Sequence, residues 1–181
     1  TPWAKDPAVL AALPPVATAC DYWLAVRDSL LAAGYVQTTL TNFERREVHA
    51  SERRFVYEEH SFTPERYDAL GFGPLAISTF INREQRRALK LVRGKSLDEE
   101  YRRDLYFAYD AEDLRLLLLT RTLARLRVDR ALFDTPPAPY LTEALAAVID
   151  EGLAVIDDHE LRLTPRGMFY ADSIAGLFAA P

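Results

Sequence analysis

Cysteine is almost missing from this chain, with Cys20 the single one among 181 residues. One thiol closes no internal disulfide and builds no cysteine-rich metal site, a usage that fits a reducing compartment, so a cytoplasmic location is expected. Long apolar runs are missing as well. Leu116 to Leu119 is bounded by Arg115 and closely followed by Arg121, and nothing approaches the roughly 18 to 20 apolar residues of a membrane span. The start, Thr1-Pro2-Trp3-Ala4-Lys5-Asp6, has no basic segment followed by an apolar one, so no secretory signal is expected. Lacking Met and running straight into proline, it reads as the interior of a longer protein. Lysine is absent from the last 81 residues, where 13 acidic residues stand against nine arginines. Binding to phosphate backbones depends on clustered Lys and Arg, so nucleic acid is not expected as a partner of this half.

What is present is enough apolar material for a core. At 49% hydrophobic residues, a chain of this length folds as one large or two small domains. Asp6 to Leu13 predicts a short helix ended by Pro14 and Pro15. A second helix is expected from Thr18 or Asp21, with Trp23, Leu24, Leu30 and Leu31 at helical spacing and Gly34 as its C-terminal cap. Tyr35 to Thr41, rich in β-branched residues, predicts a strand. Glu44 to Arg54 is charged and shows no core face, so a loop or a partly ordered crossing segment is expected there. Phe55 to His60 reads as extended, Thr63 to Asp68 as a helical turn with Pro64 at its first position, and Leu75 to Ile81 as a second strand. Further on, Ala111 to Leu126 and Tyr140 to Glu151 predict helices. Leu153 to Ile156 and Leu161 to Leu163 form a hairpin around Asp157 to Glu160, and Thr164-Pro165 opens a final helix toward Phe178. Helix, helix, two-stranded wing and helix make a winged-helix-like module.

Three segments carry candidate chemistry. In Ala69 to Ser78, the glycines Gly71 and Gly73 with Ala76 permit a sharp bend and a close approach to main-chain atoms, which suggests a ligand wall. Tyr57, Glu58, Glu59 and His60 place three kinds of proton-transfer group within four residues. On an extended chain Tyr57 and Glu59 share one face; the alternative is that the glutamates pair with Arg53 or Arg54 and Tyr57 packs its ring. Between Asn82 and Lys95 lie Arg83, Arg86, Arg87, Lys90, Arg93 and Lys95 against Glu84 alone. Two readings stand for that run: a solvated surface helix or hairpin, or, through Arg83, Arg86 and Arg87, an anchor for substrate carboxylates. Cys20 reads as buried and inert. His49 and His159 lie in charged loops without metal-ligand spacing, so no metal is assigned.

Taken in order, Ala33-Gly34-Tyr35 before a strand, Asn42-Phe43 after it, Leu70-Gly71-Phe72-Gly73-Pro74 with Ala76-Ile77-Ser78, Glu151-Gly152-Leu153, and Leu163-Thr164-Pro165-Arg166-Gly167 form a series. It resembles the C-terminal part of radical S-adenosylmethionine (SAM) enzymes of the oxygen-independent coproporphyrinogen III oxidase-like group. The resemblance implies an α/β fold: the end of a partial barrel over residues 1–96, then an accessory winged-helix-like α+β domain over 97–181. It implies SAM as cofactor, up to two molecules, and a four-iron, four-sulfur cluster held by a CxxxCxxC motif. No such motif occurs here and one thiol cannot supply three ligands, so the cluster belongs to residues outside this chain, on an N-terminal barrel that would be its partner. By the same resemblance Ile77 matches an isoleucine of the second SAM site, with Gly71, Gly73 and Ala76 lining the turn; the alternative is a buried strand residue.

The heme-chaperone branch carries His-Asn-x-x-Tyr-Trp before the glycine segment, where this chain has Arg54 to His60. That stretch looks more like the branches that methylate or cyclopropanate unactivated carbons or open heme anaerobically. The resemblance therefore implies methyl or methylene transfer to a small organic substrate, with Tyr57 and Glu59 as candidate catalytic groups. Oxidative decarboxylation of coproporphyrinogen is the alternative within the family. A non-catalytic winged-helix adaptor is the rival outside it, against which the 140–151 helix, with Glu143, Asp150 and Glu151 and no Lys or Arg, already counts.

Overall fold

Asp6 opens the first helix as an N-cap, its Oδ1 accepting from the amide of Ala8 at 2.9 Å, and α1 (Pro7–Ala12) carries proline at its first position. The computed structural model describes residues 5–96, 98, 100, 103–134 and 139–179. After Pro14 and Pro15 comes α2 (Val16–Ala32), which begins two residues ahead of Thr18. Gly34, at φ +84°, turns the chain into β1 (Tyr35–Gln37). The strand expected to reach Thr41 is shorter. The chain reverses through Asn42, whose carbonyl accepts from the amide of Thr38 at 3.0 Å, and returns as β2 (Phe43–Arg45), antiparallel with Tyr35 opposite Arg45.

One expectation holds in part and the next fails. The segment 44–54 is partly ordered rather than a loop, because it contains the end of β2 and α3 (Arg46–His49). The stretch 55–60 is not extended but turns into α4 (Tyr57–Ser61). Glutamate is a good helix former, and Glu58 and Glu59 lie in the first turn, where carboxylates favour the positive end of the helix dipole.

The basic run forms a hairpin: β3 (Ile77–Asn82) and β4 (Arg87–Val92) pair antiparallel, with Asn82 opposite Arg87. On the far side of β4 lies β5 (Leu105–Tyr109), so this sheet runs across the boundary expected at 96/97. One face of the sheet packs under α5 (Ala111–Leu123), burying Ile81, Ala88 and Leu114 together. A reciprocal cap starts α5: Asp110 accepts from the amides of Glu112 and Asp113 at 2.9 Å, and Asp113 accepts from Asp110 at 3.2 Å. The helix stops at Leu123 rather than Leu126. Leu126 takes φ +70° and hands the chain to a strand that was not expected, β6 (Arg127–Asp129).

The rest of the tail is α6 (Ala131–Asp134), α7 (Pro139–Asp150), β7 (Ala154–Ile156), β8 (Glu160–Leu163), α8 (Pro165–Phe169) and α9 (Ala171–Ala179). The single final helix expected is thus two helices, separated at Tyr170. Its sheet has the order β6-β8-β7, all antiparallel. Around it lies the main core, with Leu119, Leu123, Leu141, Ile174 and Phe178 essentially fully buried. The fold is mixed helix and sheet, and every strand pairing among the described residues is antiparallel. No described helix is long and apolar enough to cross a membrane.

Candidate functional site

The bend at Gly71 is built by close approach. A Cβ on Gly71 would lie 2.5 Å from the carbonyl oxygen of Ile77, so no larger residue fits without moving backbone. Its amide donates to the buried Ser78 hydroxyl at 3.0 Å, and Ala69 and Thr79 exchange backbone bonds of 2.9 and 2.8 Å. These contacts fold the loop across the sheet face that bears Ser78. Gly73 then takes φ +91° and Leu75 +60°, leaving Phe72 84% exposed at the tip. The bend is open to solvent.

Side chains alternate across a strand, so Ile77 and Thr79 point away from Ser78, toward the other face. There they line a cleft of about 200 Å³ with Tyr57 and Ser61 of α4, Tyr67, and Leu117 and Arg121 of α5. Ile77 is 44% exposed, not a buried strand residue. Gly71, Gly73 and Ala76 shape the approach to this strand but do not line the cleft. Arg121 is half-buried at the edge, and its guanidinium has no hydrogen bond or ion pair with any described residue. Three rings (Tyr57, Phe62 and Tyr67), the hydroxyls of Ser61 and Thr79, an apolar patch at Ile77 and Leu117, and Arg121, with Glu58 already bound to Thr39, suit an amphiphilic ligand bearing a carboxylate.

Because α4 is a helix, Tyr57 and Glu59 do not share a face as an extended chain would have placed them. Tyr57 looks into the Ile77 cleft, whereas Glu59 faces a second, polar cleft and pairs with Arg54 at 3.6 Å. Between them Glu58 borders both clefts and accepts a short hydrogen bond from the hydroxyl of the buried Thr39. Charge spacing gave no hint of that bridge, which depends on a contact 19 residues apart.

The three candidate anchoring arginines separate. Arg83 is committed: it donates to the carbonyls of Glu65, Ile81 and Pro64 at 2.8, 3.2 and 3.3 Å and lies 3.6 Å from Asp68. That clamp fastens the 64–68 loop, and with it Tyr67, to the hairpin. Arg86 occupies the hairpin turn at φ +50°. Only Arg87 is both uncommitted and set beside an open hollow, of about 620 Å³, floored by Phe80 and Leu89.

Cys20 is buried in α2, and no group of three or more His, Cys, Asp or Glu among the described residues is placed to hold a metal ion. The donor set therefore does not fit an iron–sulfur cluster.

No family model matches this chain, and no curated protein does. Among solved structures it is similar to coproporphyrinogen III oxidase (HemN) from Escherichia coli, a radical SAM enzyme, with a TM-score of 0.59 and 21% identity over 93% of this chain and 42% of that one. The likeness is one of fold, and the chain spans less than half the length of that enzyme.

Proposed function

We propose that this chain is the C-terminal part of a cytoplasmic radical SAM enzyme and that the Ile77 cleft forms one wall of its cofactor and substrate pocket. The observation that carries this reading is the meeting of Tyr57, Ile77 and the uncommitted Arg121 around one cleft, at the end of a bend only glycine permits. Fold similarity to the oxidase supports it. So does the arrangement of the tail, where α5-β6-α6-α7-β7-β8 with strand order β6-β8-β7 follows the order expected of a winged-helix-like module. The rest of the enzyme, a cluster-bearing barrel N-terminal to this chain, would cover the exposed apolar residues of α1, α2 and the bend, among them Leu13, Val16, Tyr22, Val26 and Phe72.

SAM, when bound with the cluster of the barrel, supplies a radical initiator and, from a second molecule, a transferable carbon. The residues of this chain bind and orient. Arg121 would take a carboxylate, Ile77 and the Tyr57 and Tyr67 rings would flank the apolar part, and the Tyr57 phenol would donate a proton or a hydrogen bond at the reacting centre. Glu59, outside this cleft and facing Arg54, has no such part here.

Methyl or methylene transfer is the reaction proposed. Oxidative decarboxylation is the second reading, favoured by the similarity to a coproporphyrinogen oxidase and by the broad hollow under Arg87. Product analysis of the complete enzyme with methyl-labelled SAM tests the two. Label retained in the product supports carbon transfer, while release of carbon dioxide with no label retained supports decarboxylation. Unaltered turnover in both Tyr57→Phe and Ile77→Asp, with the cluster loaded, rejects the cleft as the site.

A further inference from the structure

The polar cleft behind α4 contains a group that neither reading uses. Glu44 is 8% exposed, and both of its carboxylate oxygens are engaged: Oε1 accepts from the amide of Phe55 at 2.8 Å, and Oε2 lies 3.0 Å from Nδ1 of His49. A buried carboxylate fixed by a backbone donor holds the imidazole ring in one orientation and leaves Nε2 for the cleft. His49 is partly exposed there, and the cleft, of about 300 Å³, is also lined by Arg54, Arg125 and Arg127.

These three arginines are held loosely. Their nearest carboxylates are Glu59 at 3.6 Å, Glu65 at 3.6 Å and Glu160 at 3.9 Å, all beyond hydrogen-bond length. No described residue accepts a hydrogen bond from any of the three guanidinium groups. Of the two acids in the cleft, Glu59 faces Arg54 and Glu58 is bound to Thr39. The cleft therefore gathers three guanidinium groups, each held only by a long ion pair, beside a fixed imidazole, and such forks match the oxygens of a carboxylate or a phosphate.

We propose that this cleft binds a small oxyanion, with Arg125 and Arg127 as its principal donors and His49 at its edge. The site is separate from the Ile77 cleft and stands whether or not that cleft receives an adenosyl group.

This chain of 181 residues has three histidines, so in the chain by itself their ring signals in proton NMR form a short, assignable set. Succinate and inorganic phosphate are titrated separately at constant ionic strength, so that screening does not change. The expected result is a saturable shift of the His49 signal with either probe while His159, on the tail hairpin, stays fixed. A response to succinate alone marks a carboxylate site, and a response to phosphate alone marks a phosphate site. Arg125→Gln and Arg127→Gln each weaken the response about tenfold, the value of one charge-assisted hydrogen bond. Arg166→Gln, on α8, leaves it unchanged, and unperturbed His60 and His159 signals confirm that each variant is folded. No saturable shift at His49, an equal shift at His159, or undiminished binding in both cleft variants overturns the proposal.

Discussion

The two halves of this molecule treat their apolar residues in opposite ways. From α5 onward, Leu119, Leu123, Val128, Leu141, Leu161, Ile174 and Phe178 are sealed in one core, and Val155 and Leu177 are the only large apolar side chains described as exposed there. Before α5 the buried apolar residues described are Cys20, Ile81 and Ala88, while Leu10, Leu13, Val16, Tyr22, Val26, Leu70, Phe72, Leu75 and others face solvent. At about 25 cal/mol per Å² of apolar surface removed from water, the second half has the means to stabilise itself and the first has little. The clefts lie in the first half and along its seam with the second. Clefts need walls that do not collapse, and here the tail, through Leu117, Arg121 and Arg125, supplies the rigid one.

The sharpest way to break that contrast is to spoil the closed half. A Cβ on Gly167 would sit 1.7 Å from the carbonyl oxygen of Leu153, where α8 crosses the start of the β7–β8 hairpin. Gly167→Ala forces the helix off the hairpin and should destabilise the tail by about 3 kcal/mol or more. Thermal unfolding followed by circular dichroism measures it. If the halves differ as described, the tail transition falls while the signal of the first half changes little beforehand.

That lesson also explains what was legible in the sequence. Elements defined by local rules were readable: Asp6-Pro7 and Thr164-Pro165 open helices where expected, and Gly152 with the 157–160 turn places the hairpin. Segments whose form depends on distant partners were not. The 44–54 segment is ordered by the Glu44 carboxylate reaching Phe55 and His49, and α4 is tied down by the Thr39 hydroxyl donating to Glu58, neither of which spacing encodes. β6 escaped because Leu126 turns through a left-handed conformation that leucine seldom adopts. Of the site, Tyr57 and Ile77 were legible from residue type and motif order. Arg121 and the Glu44–His49 pair were hidden in a leucine-rich helix and a charged stretch.

A second test stays in the closed half, at Arg115. Its side chain is almost fully buried, donating to Glu112 and to the carbonyl of Leu132, and the Arg115 bond holds the Glu112 carboxyl below its ordinary range. A depressed carboxylate stabilises the fold fully above its unfolded pKa, roughly 4.3, and the contribution disappears as pH falls through the lower folded value. Glu112→Gln should cost about 2 kcal/mol, since the buried Arg115 keeps the Leu132 carbonyl but loses its charged partner, whose carboxylate is more than half exposed. Denaturant midpoints of the two proteins should differ most above the unfolded pKa of roughly 4.3 and draw together as pH falls through the lower folded value.

In the open half the corresponding change is milder. Gly71→Ala pushes the bend off Ile77, but the loop is solvent-exposed and can swing away, so a loss of about 1 to 2 kcal/mol is expected. Hydrogen exchange should rise at the amides of Gly71 and Thr79, which bond across this contact, and not at those of β8.

The smallest expected effect separates the two readings of the basic hairpin. Arg86 pays for its φ of +50° as any residue with a Cβ does, and it does not line the hollow beside Arg87. Arg86→Gly should therefore leave stability within about 0.5 kcal/mol of the parent, the relieved strain offset by a looser unfolded chain. In the complete enzyme it should leave KM unchanged, whereas Arg87→Gln should raise KM if the hollow holds a substrate carboxylate. Equal effects of the two substitutions on KM would mean that the whole run acts as a diffuse positive field, and no effect from either would make the hairpin an ordinary solvated edge.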